Sequence, residues 1–97
     1  MIFMAILGFA DKETERVFYG DFSRRLPVDV QQRAYRKMLY MASVDTLNDL
    51  RSPPSNHLEP LQGDRVGQYS IRINKQYRIC FTVCEGGFDD VEIVDYH

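Results

Sequence analysis

A mixed α+β domain is what this sequence predicts: one strand, two helices, then three strands, with both helices on one face of a mostly antiparallel sheet. Three observations carry the prediction. Ile2 to Leu7 is a nearly continuous apolar run. Val30, Ala34, Met38 and Ala42 recur every four residues. From Tyr69 onward the apolar period changes to two, the spacing of half-buried strands.

The run from Ile2 to Leu7 reads as a buried strand. Asp11 sits where a helix N-cap belongs, Val17 and Phe18 give the following turns an apolar side, and Gly20-Asp21 ends that helix. Pro27 suits the first turn of a second helix, where its missing N–H is not needed. Its apolar stripe, with Met41 beside it, reads as core, and Arg33, Arg36 and Lys37 fall away from it. Pro53-Pro54 excludes a helix interior, so the chain from Leu50 onward reads as a loop. Gly63 and Gly67 bracket another turn. Tyr69, Ile71 and Ile73, then Tyr77, Ile79, Phe81 and Val83, then Val91 and Ile93 mark three strands of a meander. Their turns fall at Asn74-Lys75-Gln76 and at Gly86-Gly87.

The 97 residues suit a single domain over 1–97. An apolar fraction of 44% and a charged fraction of 27% are ordinary for a globular protein. The net charge of -2 argues weakly against nucleic-acid binding, so any such role must rest on where the basic residues cluster. Cys80 and Cys84, four residues apart on one strand, would have Cα atoms about 13 Å apart at roughly 3.3 Å per residue. That is too far for a disulfide without a bend. Free thiols in a reducing compartment are expected. The stretch from Met1 to Ala10 is too short to span a membrane and lacks the marks of a signal peptide. The expected location is the cytoplasm, with no membrane partner.

Strand parity gives the sharpest inference about chemistry. With the odd positions of the strands facing the helices, Arg72, Arg78 and Tyr96 share the other face. Such a face is often merely solvated. Cutting RNA without a metal would need more of it: a group to deprotonate the 2′-OH, cations for the charge developing on phosphate, and an acid for the leaving 5′ oxygen. An arginine fork matches two phosphate oxygens, tyrosine stacks a base, and histidine titrates near neutrality. The two histidines are His57, after the proline loop, and His97, at the end. A lone surface histidine is usually inert and a terminal one usually frayed. No second cysteine pair or histidine pair completes a metal site, and no glycine-rich phosphate loop opens a helix. Neither metal nor cofactor is expected.

Longer stretches are more specific. Arg51-Ser52-Pro53-Pro54-Ser55-Asn56-His57-Leu58-Glu59, Leu61-Gln62-Gly63-Asp64-Arg65, the run from Gly67 through Ser70-Ile71-Arg72-Ile73-Asn74 to Tyr77-Arg78-Ile79-Cys80-Phe81, and the closing Asp95-Tyr96-His97 resemble HigB toxins. The resemblance runs from about Phe9 to His97 and is strongest from Arg51 onward.

It implies the RelE/ParE fold and a toxin of a type II toxin–antitoxin system that cuts mRNA in the ribosomal A site. It also implies a HigA-type helix-turn-helix antitoxin, with operator DNA met only through the toxin–antitoxin complex. Asp95, Tyr96 and His97 match the family's C-terminal active-site residues, and Arg78 matches a basic strand position. A catalytic loop histidine of a better-studied branch falls in the column of Glu59, with His57 two residues earlier, so either is a candidate second acid–base group. That branch has an arginine near Asn74, where this chain offers Arg72. Arg51, Arg65, Arg72 and Lys75 are the candidate contacts to RNA and ribosome. A sparse site suffices if the ribosome orients the mRNA, since orientation alone contributes about 7–11 kcal/mol. A ParE-like gyrase-binding toxin, or a non-catalytic interaction module, is the alternative on the same fold.

Overall fold

The alternation from Tyr69 onward builds the middle of a sheet whose two edges come from elsewhere in the chain. A computed structural model describes residues 4–21 and 23–96. Its strands are β1 (Ala5–Ile6), β2 (Glu59–Pro60), β3 (Tyr69–Arg72), β4 (Tyr77–Cys84) and β5 (Gly87–Asp95). Among the described residues they form one sheet in the order β1-β5-β4-β3-β2, antiparallel except where β1 runs parallel to β5. Helices α1 (Lys12–Phe18) and α2 (Val28–Met41) follow β1. The architecture is the predicted α+β arrangement with one added edge strand, β2. No helix among the described residues is long and apolar enough to cross a membrane.

The local signals act as their chemistry dictates. Asp11 accepts from the Thr14 amide at 2.7 Å, capping α1. The helix stops at Phe18, and Gly20 takes a positive φ of 84° in the turn beyond it. Pro27 stands at the N-cap position, one residue before the first turn of α2, where its carbonyl accepts from the Gln31 amide at 3.1 Å. Val30, Ala34, Met38 and Met41 pack on Ile71, Ile79, Phe81, Phe88 and Val91 in one apolar core. Ala42, placed on the stripe by spacing, is the C-cap and only half-buried. Gln31 is buried instead, receiving the Ser23 amide at 2.7 Å and donating to the carbonyls of Ser23 and Leu26.

Three expectations are corrected. The first strand is an edge strand, not a buried one: Ala5 is exposed, Ile6 half-buried and Leu7 52% exposed. Residues 1–3 of the expected run lie outside the described residues. Its pairing depends on Gly87, where a Cβ would come within 2.0 Å of the Ala5 carbonyl oxygen. The segment after Leu50 is not plain loop, since 3-10 turns run over Leu47–Arg51 and Pro54–Asn56. Pro54 opens the second of these, a position where its missing N–H is tolerated. Finally, Val83 follows a register irregularity between Cys80 and Thr82 and is exposed, not core.

α1 is tied to the sheet by a polar contact as well as by Val17. The buried Thr14 hydroxyl accepts from the Ile93 amide at 3.0 Å, satisfying a donor on β5 past the end of β1. Both helices thus cover one face, and the other is left to the residues of even parity.

Candidate active site

On that second face Arg78 is the point of convergence. β4 places it one residue before the core residue Ile79, so its side chain leaves on the side away from the helices. Its side chain is only 12% exposed. Nε donates to Ser70 Oγ at 2.7 Å and Nη2 donates to the His57 carbonyl at 2.6 Å. Nη2 also lies 3.6 Å from Glu59 Oε1. The guanidinium carbon stands 5.9 Å from the centre of the Tyr96 ring, which is 40% exposed, within cation–π reach. Three segments separate in sequence therefore meet at one cation.

Each segment is there for a local reason. β2 pairs Glu59 with Ser70 and Pro60 with Tyr69, which brings the proline loop against the free side of β3. His57 closes the 3-10 turn in a left-handed conformation, φ 45° and ψ 53°, turning its carbonyl to Arg78. The buried Asn56 holds that turn, donating to the carbonyls of Leu50 and Ser52 at 3.1 and 3.2 Å and accepting from Lys37 Nζ. Tyr96 is placed by β5, whose Asp95 pairs with Tyr77, and its amide donates to the Gln76 carbonyl.

This face is less open than parity alone suggests. Ser70 and Cys80 are fully buried on it, because Arg78 folds over Ser70 and the turn at Gly63–Arg65 brings Arg65 across the strands. Arg65 pairs with Glu92 at 3.2 Å and also donates to Gln68. Burial pushes the Cys80 thiol up; the Arg65 and Arg78 cations oppose the shift and Glu92 adds to it. Cys80 is a buried free thiol and Cys84 an exposed one.

The other candidates fall elsewhere. Arg72 pairs with Arg78 in the β3–β4 register and donates from Nε to the Asn74 carbonyl at 3.1 Å. Lys75 is exposed in the turn beyond it. Arg51 is exposed and donates to Asn48 at 2.8 Å, beside a different groove lined by Tyr40 and Asp45. The Asp95 carboxylate accepts from Gln76 at 3.1 and 3.2 Å. His97 lies outside the described residues. Of the two loop candidates, Glu59 reaches Arg78 with its carboxylate, while His57 does so through its backbone carbonyl. Sequence reading missed Ser70, although its parity with Arg72 and Arg78 already placed it on this face. It also missed Asn56, whose burial no periodicity announces.

Such a cluster can bind a phosphate diester, present a carboxylate beside it and stack an aromatic ring on a base. The fold that carries it is that of the RelE-like toxins. A YoeB/ParE toxin from Agrobacterium tumefaciens has a TM-score of 0.52 at 18% identity, with 97% of this chain and 99% of that one covered. The YoeB–YefM complex from Staphylococcus aureus has a TM-score of 0.53 at 17% identity, with 97% of each chain covered. In sequence, the chain is 38% identical over 81 residues to Toxin HigB-1 of Vibrio cholerae serotype O1, covering 82% of this chain and 85% of that one. It is 43% identical over 63 residues to an uncharacterized protein of Haemophilus influenzae, covering 65% and 62%. The sequence model of the HigB-like toxin family, described as the RelE-like toxin of the type II toxin–antitoxin system HigB, matches residues 7–97. The chain belongs to this family.

Proposed function

We propose that the protein is a ribosome-dependent, metal-independent endoribonuclease that cuts mRNA in the A site and stops translation. The observation that carries this reading is the cluster at Arg78: one largely buried guanidinium with a carboxylate, a serine and an aromatic ring around it. Arg78 binds the scissile phosphate and stabilises the charge that grows on its oxygens. Glu59 takes the proton of the 2′-OH as that oxygen attacks the phosphorus. The bond to the 5′ oxygen breaks, leaving a 2′,3′-cyclic phosphate, and the acid that protonates the 5′ oxygen comes from the Asp95-Tyr96-His97 end. Tyr96 stacks on a base and keeps the strand in register. Arg65 stands on the same face, and the ribosome supplies the remaining orientation.

The partner in this reading is a HigA-type antitoxin, which neutralises the toxin and carries it to operator DNA. The Staphylococcus aureus YoeB–YefM complex, a structural neighbour, supports an antitoxin partner. Induction in growing bacteria is the direct test. Growth arrest is expected, with protein synthesis falling before DNA synthesis. Arrest accompanied by inhibition of purified gyrase would replace this reading with the gyrase-binding alternative, and undisturbed growth with the interaction module.

A further inference from the structure

Beyond Arg78, a second cationic feature lies at the end of β3 that β2 does not cover. Arg33 and Lys37 from α2, Ser55 from the proline loop, Arg72 from the end of β3, and Asn74 and Lys75 from the turn after it line one groove of about 430 Å³. Four cations, two from α2 and two from the β3–β4 hairpin, line it, and no carboxylate among the described residues does. None of the four is ion-paired with a carboxylate among the described residues. Lys37 is half-buried, and its ammonium is held by a neutral acceptor, Asn56 Oδ1. Burial, with Arg33 beside it, holds Lys37 below the usual lysine range. Bringing four positive groups together without a counter-charge is unfavourable in the free protein and is relieved by an anion.

We propose that this groove binds a backbone phosphate of single-stranded RNA, one position along the strand from the phosphate held at Arg78. The inference rests on the ribonuclease reading and extends it to a residue set that chemistry does not require. One feature favours RNA over an acidic peptide. Arg72 and Arg78 are direct cross-strand partners, with Cα atoms about 5 Å apart, so the groove, at the end of β3, opens beside the Arg78 cluster. Arg33 and Arg72 offer planar forks that can hold the oxygens of either anion. Ser55 and Asn74 add neutral donors at its rim. Asn56 acts twice, fixing the turn beside Arg78 and holding the Lys37 ammonium at the groove wall.

The test is fluorescence anisotropy with a labelled 2′-O-methyl hexanucleotide, which cannot be cut, titrated at several salt concentrations. Each phosphate contact to a single strand contributes about -0.7 to the slope of log affinity against log salt. The double variant Arg33→Ala, Lys75→Ala, both at exposed positions, is expected to flatten the slope by about 0.7, one phosphate contact, and weaken binding at least tenfold. Lys12→Ala, on α1, is expected to change neither. An unchanged slope in the double variant overturns the proposal, as does failure of the wild-type protein to bind the oligonucleotide. Stronger displacement by poly-glutamate than by unlabelled oligonucleotide overturns it in favour of an acidic peptide. Cleavage on programmed ribosomes, measured on the same proteins, separates the two readings. Cleavage with an unchanged slope removes the groove alone. A flattened slope without wild-type cleavage removes the nuclease and leaves the groove standing.

Discussion

The Ser70 hydroxyl, fully buried, accepts from Arg78 Nε at 2.7 Å and so fixes the direction of the one guanidinium on which the candidate site converges. A hydrogen bond to a charged group contributes about 1.5–3 kcal/mol. Ser70→Ala removes it and leaves Arg78 with its contacts to His57 and Glu59. The expected result is a loss of cleavage of about 10–100-fold, larger than the loss of folding stability warrants, since the variant domain still melts cooperatively. Ser70→Thr keeps the hydroxyl and is expected to restore most of the activity. Equal activity in all three proteins would show that Ser70 does not aim Arg78.

Arg78 and Lys75 carry the same charge in different settings, one largely buried under four partners and one exposed in a turn. Arg78→Ala is expected to lower cleavage by at least about 100-fold, the range seen when a preorganised donor to transition-state charge is lost. Arg78→Lys is expected to do nearly as badly, because an ammonium cannot reproduce the planar fork. Lys75→Ala should cost about tenfold or less. Equal losses at both positions would point to diffuse docking charge in place of a specific phosphate contact.

How much of this was legible in the sequence differs from element to element. The core of β3 and β4 was legible because Ile71, Ile79 and Phe81 alternate with polar residues, and parity alone put Arg78 and Tyr96 on the face they share. β2 was not, because a two-residue strand containing Pro60 has no alternation to read. Its effect is large: it brings Glu59 and the His57 carbonyl to Arg78. The choice between His57 and Glu59 was open in the sequence, since both lie in one loop. Which of them brings its side chain to Arg78 depends on the left-handed φ of His57, a backbone property that side-chain patterns do not record.

The C-terminal end is addressed by substitution of its last residue. His97→Ala is expected to cut toxicity strongly while leaving the melting temperature within about a degree, since the motif match, not packing, assigns it a role. Unchanged growth arrest at equal expression would remove His97 from the catalytic set.

The two thiols should separate chemically. Cys84 is exposed and Cys80 buried, with its thiol pushed up by burial. At pH 8 Cys84 is expected to react with a disulfide reagent within minutes, and Cys80 only after denaturation. Two fast thiols would mean that Arg65, Glu92 and Arg78 do not cover this face in solution.

Gly87 is required by a close approach, since any Cβ there meets the Ala5 carbonyl. Gly87→Ala is expected to cost about 1–3 kcal/mol, the range of overpacked sites, lowering the melting temperature by about 4–8 °C per kcal/mol. A melting temperature equal to wild type would show that β1 does not pair at Gly87.

In the proposed function the Arg78 cluster cuts RNA on the ribosome. Primer extension on mRNA in programmed ribosomes, with the wild-type protein, Arg78→Ala and naked RNA as comparisons, tests it most directly. New 3′ ends within the A-site codon are expected for wild type, at least about 100-fold fewer with Arg78→Ala, and none on naked RNA. Intact A-site codons in the presence of folded wild-type protein, or equal cleavage by Arg78→Ala, would contradict it.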